Sequence, residues 1–107
     1  MCKLSIYRCF FILFLVVTNS SASDRNALVI GNQNYSFLPL TTPLNDAHEM
    51  SFRLQLAGYK VTHLNDQKQS EMYDATDRFF LESADAQVVL VYYAGHAVQV
   101  NGRNFLI

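Results

Sequence analysis

The chain has 107 residues, a hydrophobic content of 50% and a formal net charge of -1, which is the composition of an ordinary globular protein. This length allows one small domain. The balanced charge excludes a basic surface for nucleic acid, and the absence of repeats and low-complexity segments excludes a fibrous or disordered chain.

The amino-terminal residues have the pattern of a secretory signal peptide. Lys3 and Arg8 supply a positive start, followed by an unbroken apolar run at 9–17. Such a run is long enough for the hydrophobic part of a signal peptide but too short to cross a bilayer. Small residues at 20–22 fit a cleavage site. We therefore predict a signal peptide at 1–22.

Cleavage would leave an exported domain at 23–107, either secreted or periplasmic, without a stable membrane span. A cut after Ser23 is the second choice of cleavage site. The alternative to cleavage is that the segment stays on the chain as a membrane anchor. The remainder keeps six basic against nine acidic residues, a net charge of -3. It loses both cysteines, Cys2 and Cys9, so it has no disulfide, thiolate metal site or thiol nucleophile.

The first elements of the remainder are predicted as strand, helix and strand. The apolar run Ala27–Ile30 predicts a buried central strand. Thr42 and Pro43 suit a helix start, and Gly58 suits the left-handed residue that ends the helix. The strand Tyr59–Leu64 alternates in polarity and is typical of an edge. The packed stripe of the helix is predicted to contain Ala47, Met50, Leu54 and Ala57.

A second helix and a third strand complete an alternating pattern. The helix is predicted from Ser70, as its cap, to Ser83, and the strand over Gln87–Tyr93. Asn101 and Gly102 form the preferred pair of a two-residue hairpin turn. The order β-α-β-α-β predicts a mostly parallel α/β sheet with helices on both faces. The helix stripe is predicted to contain Met72, Ala75, Thr76, Phe79 and Phe80.

The last residues, 104–107, are apolar and carry no terminating signal, and a chain that stops there leaves the edge of the third strand unpaired and open to pairing with another chain. His96 follows this strand, where parallel sheets present reactive side chains. A lone histidine in such a place is more often structural than catalytic. Three dispersed histidines lack metal-ligand spacing and no glycine-rich phosphate loop is present, so we predict no metal and no cofactor.

Five motifs together resemble the caspase-like cysteine peptidases, with most similarity to the bacterial members, metacaspases and paracaspases. They occur in the family's order and spacing over Ala27 to Ile107. The motifs are Ala27-Leu28-Val29-Ile30-Gly31-Asn32, Tyr35, Pro43-Leu44-Asn45-Asp46-Ala47, Tyr92-Tyr93-Ala94-Gly95-His96 and Gly102-Arg103-Asn104-Phe105-Leu106-Ile107.

The resemblance implies a three-layer α/β/α caspase-like fold, incomplete, of which 23–107 is the amino-terminal part. It implies about three parallel strands, two helices and a hairpin. It also implies that His96 is the catalytic histidine. The nucleophilic cysteine should follow a fourth strand, about 50 residues downstream of the histidine. No residue of the chain matches it, so we expect the chain alone to be inactive.

The resemblance also implies a substrate pocket. Asp46 matches an aspartate of the S1 pocket in metacaspases and paracaspases, which cleave peptides or proteins after arginine or lysine. A carboxylate there would pair with a cationic side chain. Ala94 matches a small residue of the same pocket. The alternative for Asp46 is a carboxylate that stabilises the dipole in the first turn of a helix.

One residue departs from the family pattern. The family has glycine after the catalytic histidine, where its N–H contributes to the oxyanion hole, and this chain has Ala97. Alanine keeps the N–H but is strained at positive φ, and its methyl group would crowd the substrate carbonyl. The sequence thus predicts a caspase-like cysteine-type endopeptidase domain that performs proteolysis, present as a fragment. The alternative is a non-catalytic, pseudopeptidase interaction module.

Overall fold

The computed structural model describes residues 4–6, 11–18, 25–34 and 41–107. The predicted cleavage site at 22 and the motif residue Tyr35 lie outside these ranges. The elements are β1 (Leu4–Ile6), β2 (Phe11–Thr18), β3 (Arg25–Gly31), α1 (Pro43–Leu56), β4 (Lys60–Asn65), α2 (Gln69–Glu82), β5 (Val88–Gly95), β6 (Ala97–Val100) and β7 (Arg103–Leu106).

The central sheet has four strands in the order β2-β5-β3-β4. β3 pairs in parallel with β4 on one side and with β5 on the other, and Gly31 lies level with Asn65 and Ala94. β4 forms one edge, with Lys60, Thr62 and Asn65 exposed. The predicted parallel arrangement and the edge position of the second predicted strand are therefore confirmed.

The two faces of this sheet carry separate hydrophobic clusters, because successive side chains of a strand point to opposite faces. α1 packs on one face, over Ala27, Val29, Leu90, Tyr92 and Ala94. α2 packs on the other, over Leu28, Ile30, Val89 and Tyr93. The arrangement of helix, sheet and helix is the predicted incomplete three-layer α/β/α fold.

α1 begins as predicted, with Thr42 at the N-cap and Pro43 in the first turn, although the Thr42 side chain makes no capping hydrogen bond. Ala47 and Leu54 are buried and Met50 is partly buried, whereas Ala57, the end of the predicted stripe, is exposed. Gly58 follows with φ of +90°, the left-handed conformation that glycine adopts without strain.

α2 begins one residue before the predicted start. Lys68 is the N-cap, and its N–H donates to the Glu71 carboxylate at 3.1 Å, so the prediction of Ser70 as the cap was wrong. A carboxylate two or three residues into a helix satisfies an otherwise unpaired N–H, which explains the shifted start. Met72 and Phe79 are buried, but Phe80 is 38% exposed and belongs to the margin of the stripe.

The predicted hairpin joins β6 and β7. Its turn residues, Asn101 and Gly102, have φ of +50° and +78°, as a type I′ turn requires. β1 adds to the other side of β6, which gives a small antiparallel sheet in the order β1-β6-β7. This small sheet continues directly from the end of β5.

β2 lies beside the outer edge of β5, which the sequence predicted to be open. The two strands pair antiparallel over their full length, from Phe11 opposite Gly95 to Thr18 opposite Val88. In the chain that retains residues 1–22 the edge is thus covered, and the expectation of an open edge concerns only the processed chain.

In the described part of the chain, no helix has the length and apolar character needed to cross a membrane.

Candidate functional site

The candidate site lies at the carboxyl ends of β3 and β5, at the edge of the sheet where the two strands finish side by side. Gly31 and Ala94 are register partners there. The N–H of Asn32 donates to the Ala94 carbonyl at 2.9 Å, and this hydrogen bond joins the loop after β3 to the end of β5. His96 follows immediately after Gly95, so the structure places it at this edge.

His96 is fully buried, with 0% of its surface exposed. Its carbonyl accepts hydrogen bonds from the Tyr93 hydroxyl at 2.8 Å and from the Ile107 N–H at 3.1 Å. The same hydroxyl also contacts the Ile107 carbonyl. Tyr93 and Ile107 thus fix the backbone at the histidine.

Ala97 begins β6 and is buried, opposite Leu106 in the hairpin. Among the residues that the structure describes, the non-glycine residues with positive φ are Asp66 and Asn101. Ala97 therefore adopts a conformation that alanine accepts without strain. The backbone strain that the sequence predicted at this position is not present.

Asp46 lies in the first turn of α1, next to Ala47, which packs with Tyr92 and Ala94 in the same cluster. Its Oδ2 atom is buried and accepts no hydrogen bond. The position in the first turn also fits the alternative, a carboxylate that stabilises the helix dipole, because this effect needs no hydrogen bond. One carboxylate oxygen of Asp46 thus lies inside the protein without a hydrogen-bond donor.

Tyr92 lies close enough to Asp46 for the two groups to interact electrostatically. Burial raises the pKa of the Tyr92 phenol, and the negative charge of Asp46 raises this pKa further. Both causes act against a second negative charge at this place. The charge of Asp46 thus disfavours an anion beside it, whereas burial disfavours a charge of either sign.

The close approach of α1 to the sheet depends on Gly31. A Cβ atom at this position would lie 2.7 Å from the Cβ of Ala47 and 2.8 Å from the carbonyl oxygen of Pro43. Contacts this short require the helix or the strand to move. The glycine that ends β3 thus allows Asp46 to lie over the end of the sheet.

The loop after β3 is fixed by side chains as well as by the sheet. The Asn32 amide accepts from the Gln67 N–H at 2.8 Å and donates to the Gln67 carbonyl at 3.0 Å. Asp66 accepts from the N–H groups of Gln33 and Asn34, both at 3.0 Å. A cavity of about 400 Å³ opens beside these residues, and Ile107 also lines it.

Sequence reasoning placed His96, Ala97, Asp46 and Ala94, and the structure puts all four at the end of the sheet or on the helix above it. It quoted Tyr93 and Asn32 only as members of the family motifs and missed that their side chains support the site. Buried Tyr and Asn side chains in contact with backbone carbonyls leave no distinct pattern in a sequence, because the partners are distant along the chain. The Asn32–Gln67 pair, for example, spans 35 positions.

The arrangement supplies an imidazole and a carboxylate, but no thiol from the described residues. The two cysteines of the chain, Cys2 and Cys9, lie outside these ranges. Within the described ranges, no group of three or more potential ligands among His, Cys, Asp and Glu is arranged to hold a metal ion.

Comparison with known proteins assigns this architecture to a family. The family model of the caspase domain, Peptidase_C14, matches residues 24–107. The chain is 39% identical over 87 residues to human mucosa-associated lymphoid tissue lymphoma translocation protein 1, a match that covers 80% of the chain and 11% of the human protein. The mouse homologue is 38% identical over 87 residues, with 80% and 10% covered.

The chain spans about a tenth of the length of these relatives. No solved structure gave a significant match. The family model covers most of the chain, and the fold has the layers that the resemblance implied. The chain therefore belongs to the caspase-domain family.

Proposed function

We propose that residues 23–107 are the part of a cysteine-type endopeptidase domain that carries the catalytic histidine and the pocket for a basic P1 residue. The observation that carries the proposal is the buried Oδ2 of Asp46, which has no hydrogen-bond donor and lies on the helix that packs over Ala94. A guanidinium or ammonium group is the partner that such an oxygen accepts best.

In this proposal His96 manages the protons of the reaction. It assists formation of the cysteine thiolate and then protonates the leaving amine, because an imidazole can both accept and donate a proton. The N–H of Ala97 stabilises the oxyanion of the tetrahedral intermediate. The thiol must come from outside residues 23–107, because these contain no cysteine.

A ligand-binding experiment tests the pocket without needing the nucleophile. N-acetyl-arginine amide is titrated into the full chain and followed by heteronuclear NMR, with the neutral citrulline amide as the matched ligand. We expect the arginine ligand to shift the resonances of Asp46 and Ala94. Asp46→Asn should weaken this binding about 10- to 100-fold, the value of one charge-assisted hydrogen bond.

The matched control is Asp85→Asn, which removes the same charge from an exposed position outside the site. This variant should bind the arginine ligand as the unaltered chain does. Equal affinity for arginine and citrulline, or equal loss of affinity in both variants, would contradict the assignment of Asp46 to a basic pocket.

The alternative is a pseudopeptidase module that binds partners without cleaving them. The full burial of His96 favours it. The downstream reading frame separates the two: a strand ending in Asp-x-Cys about 50 residues past His96 supports the enzyme, and serine or tyrosine in place of the cysteine supports the module. The 23–107 chain should resist covalent labelling by electrophilic probes with a basic P1 residue.

We also propose that the domain is exported. The support is the basic start and the apolar run of the first 22 residues. Mass spectrometry of the exported protein should give an amino terminus at Ser23, or at Asp24 for the second choice of site. Recovery of only the full-length chain from the cell interior would contradict this proposal.

A further inference from the structure

The peptide group that joins His96 to Ala97 has two donors on its carbonyl side. The carbonyl oxygen accepts hydrogen bonds from the Tyr93 hydroxyl at 2.8 Å and from the Ile107 N–H at 3.1 Å. The other end of the same peptide group is the Ala97 N–H, to which the proposed function assigns the oxyanion. The two donors therefore hold, from its opposite end, the group that would stabilise the oxyanion.

The direction of the Ala97 N–H follows from these bonds. A trans peptide group is planar, so its N–H points in the direction opposite to its C=O. The carbonyl of His96 points toward β7, because it accepts from the Ile107 N–H. Ala97 and Leu106 are thus directly opposite residues of the kind that exchange no hydrogen bonds. The Ala97 N–H therefore points away from β7.

Tyr93 is a rigid support for this peptide group. Its side chain is 1% exposed and packs with Leu28 and Ile30 on the face of the sheet that α2 covers. This packing fixes the aromatic ring, and the hydroxyl at its end reaches the carbonyl of His96. A buried hydroxyl needs an acceptor, and in this position a backbone carbonyl supplies it.

The single proton of the Tyr93 hydroxyl faces two carbonyl oxygens, those of His96 and Ile107. The carbonyl of Ile107 also accepts from the Asn32 amide at 3.4 Å. Each of the two carbonyls thus has a donor besides the hydroxyl. A donor on a carbonyl polarises the whole peptide group, which makes the N–H at its other end a stronger donor.

We infer that Tyr93 is a positioning residue of the oxyanion hole: its hydroxyl holds and polarises the His96–Ala97 peptide group, so that the Ala97 N–H is fixed in direction before a substrate binds. The inference rests on the proposed function for the role of Ala97. An oxyanion is stabilised best by donors that need no reorganisation during the reaction. Tyr93 itself acts only through Ala97.

NMR spectroscopy of the full chain measures this peptide group directly. Tyr93→Phe removes the hydroxyl and keeps the ring. The carbonyl carbon of His96 and the amide nitrogen of Ala97 should both move upfield, since both move downfield when the carbonyl accepts a hydrogen bond. The order parameter of the Ala97 N–H should fall below about 0.85, the value of a rigid backbone.

The matched control is Tyr92→Phe, which removes one hydroxyl from the neighbouring buried tyrosine on the opposite face of the sheet. This variant should leave the resonances and the order parameter of the His96–Ala97 peptide group unchanged. A Tyr93→Phe chain that is folded by near-ultraviolet circular dichroism and has the unaltered resonances at this peptide group would overturn the inference. Equal changes in the two variants would overturn it as well.

Incorporation of meta-fluorotyrosine at position 93 tests the donor strength while the hydroxyl is retained. Fluorine makes the hydroxyl a stronger donor, so at a pH below neutrality, where the phenol keeps its proton, both resonances should move downfield. This change of sign relative to Tyr93→Phe is a signature that a merely structural role of the ring would not produce. A response confined to the Ile107 carbonyl, or shifts of the same sign in both variants, would refute the inference.

These measurements use no ligand. A failure of arginine to bind at Asp46 would contradict the proposed function and would leave the results for Tyr93 unchanged.

Discussion

Gly31→Ala tests whether the position of α1 over the site depends on one missing side chain. The new Cβ would lie 2.7 Å from Ala47 Cβ and 2.8 Å from the Pro43 carbonyl oxygen. Overpacking of this kind costs about 1–3 kcal/mol. Alanine also reduces the conformational freedom of the unfolded chain, which stabilises the folded state by about 0.4–1 kcal/mol because the backbone at Gly31 is not left-handed. The net destabilisation should be about 1–2 kcal/mol, or about 4–16 °C in melting temperature.

Thermal unfolding followed by circular dichroism measures this effect, and Ala47→Gly supplies the matched partner. Ala47→Gly alone should cost about 1–2 kcal/mol through helix propensity and the lost buried methyl group. The double variant should be less destabilised than the sum of the two single variants by about 1 kcal/mol, because the Cβ–Cβ clash is gone. A Gly31→Ala chain with an unchanged or raised melting temperature, or strictly additive single variants, would refute the reasoning.

Three further predictions concern the site and the hairpin. The raised pKa of Tyr92 contributes to the free energy of unfolding. This contribution is fully present below about pH 10 and is lost as the pH rises from the pKa of the unfolded state to that of the folded state, because the unfolded state loses its proton first. Tyr92→Phe should remove this decline in urea titrations at alkaline pH, and Asp46→Asn should lower the Tyr92 pKa in ultraviolet titrations; an unchanged pKa would contradict the interaction. Asn32→Ala should cost about 1–3 kcal/mol in urea unfolding, because it leaves the partly buried N–H and carbonyl of Gln67 without their hydrogen bonds. Gly102→Ala should cost about 1–2 kcal/mol in the same assay, since alanine is strained at φ of +78°.

The main strands and helices were predictable because each has a strong local pattern. β5 is a continuous apolar run, α1 starts at a Thr-Pro pair, and the Asn101-Gly102 turn has a preferred backbone shape. The start of α2 was misplaced because Ser70 is a preferred cap residue by type, whereas the N-cap is Lys68. The side chain that satisfies the first N–H belongs to Glu71, which only the three-dimensional arrangement distinguishes.

The candidate site was also predictable only in part. The motif around His96 identified the catalytic candidate, whereas the bonds of its carbonyl to Tyr93 and Ile107 involve groups that only folding brings together. The concern over Ala97 assumed a positive φ, and the observed backbone does not have one. A residue type constrains its possible conformations, and the packing around it selects one of them.

The sequence by itself determined the order of strands and helices from β3 onward, the parallel pairing of three strands and the family motifs that lead to His96 and Asp46. These depend on periodicity and residue type, which are local. Only the tertiary structure decided that β2 covers the β5 edge, that Asp46 Oδ2 is buried without a donor, and that Gly31 brings α1 close. Each of these depends on contacts between segments distant in sequence, whose energies no local pattern records.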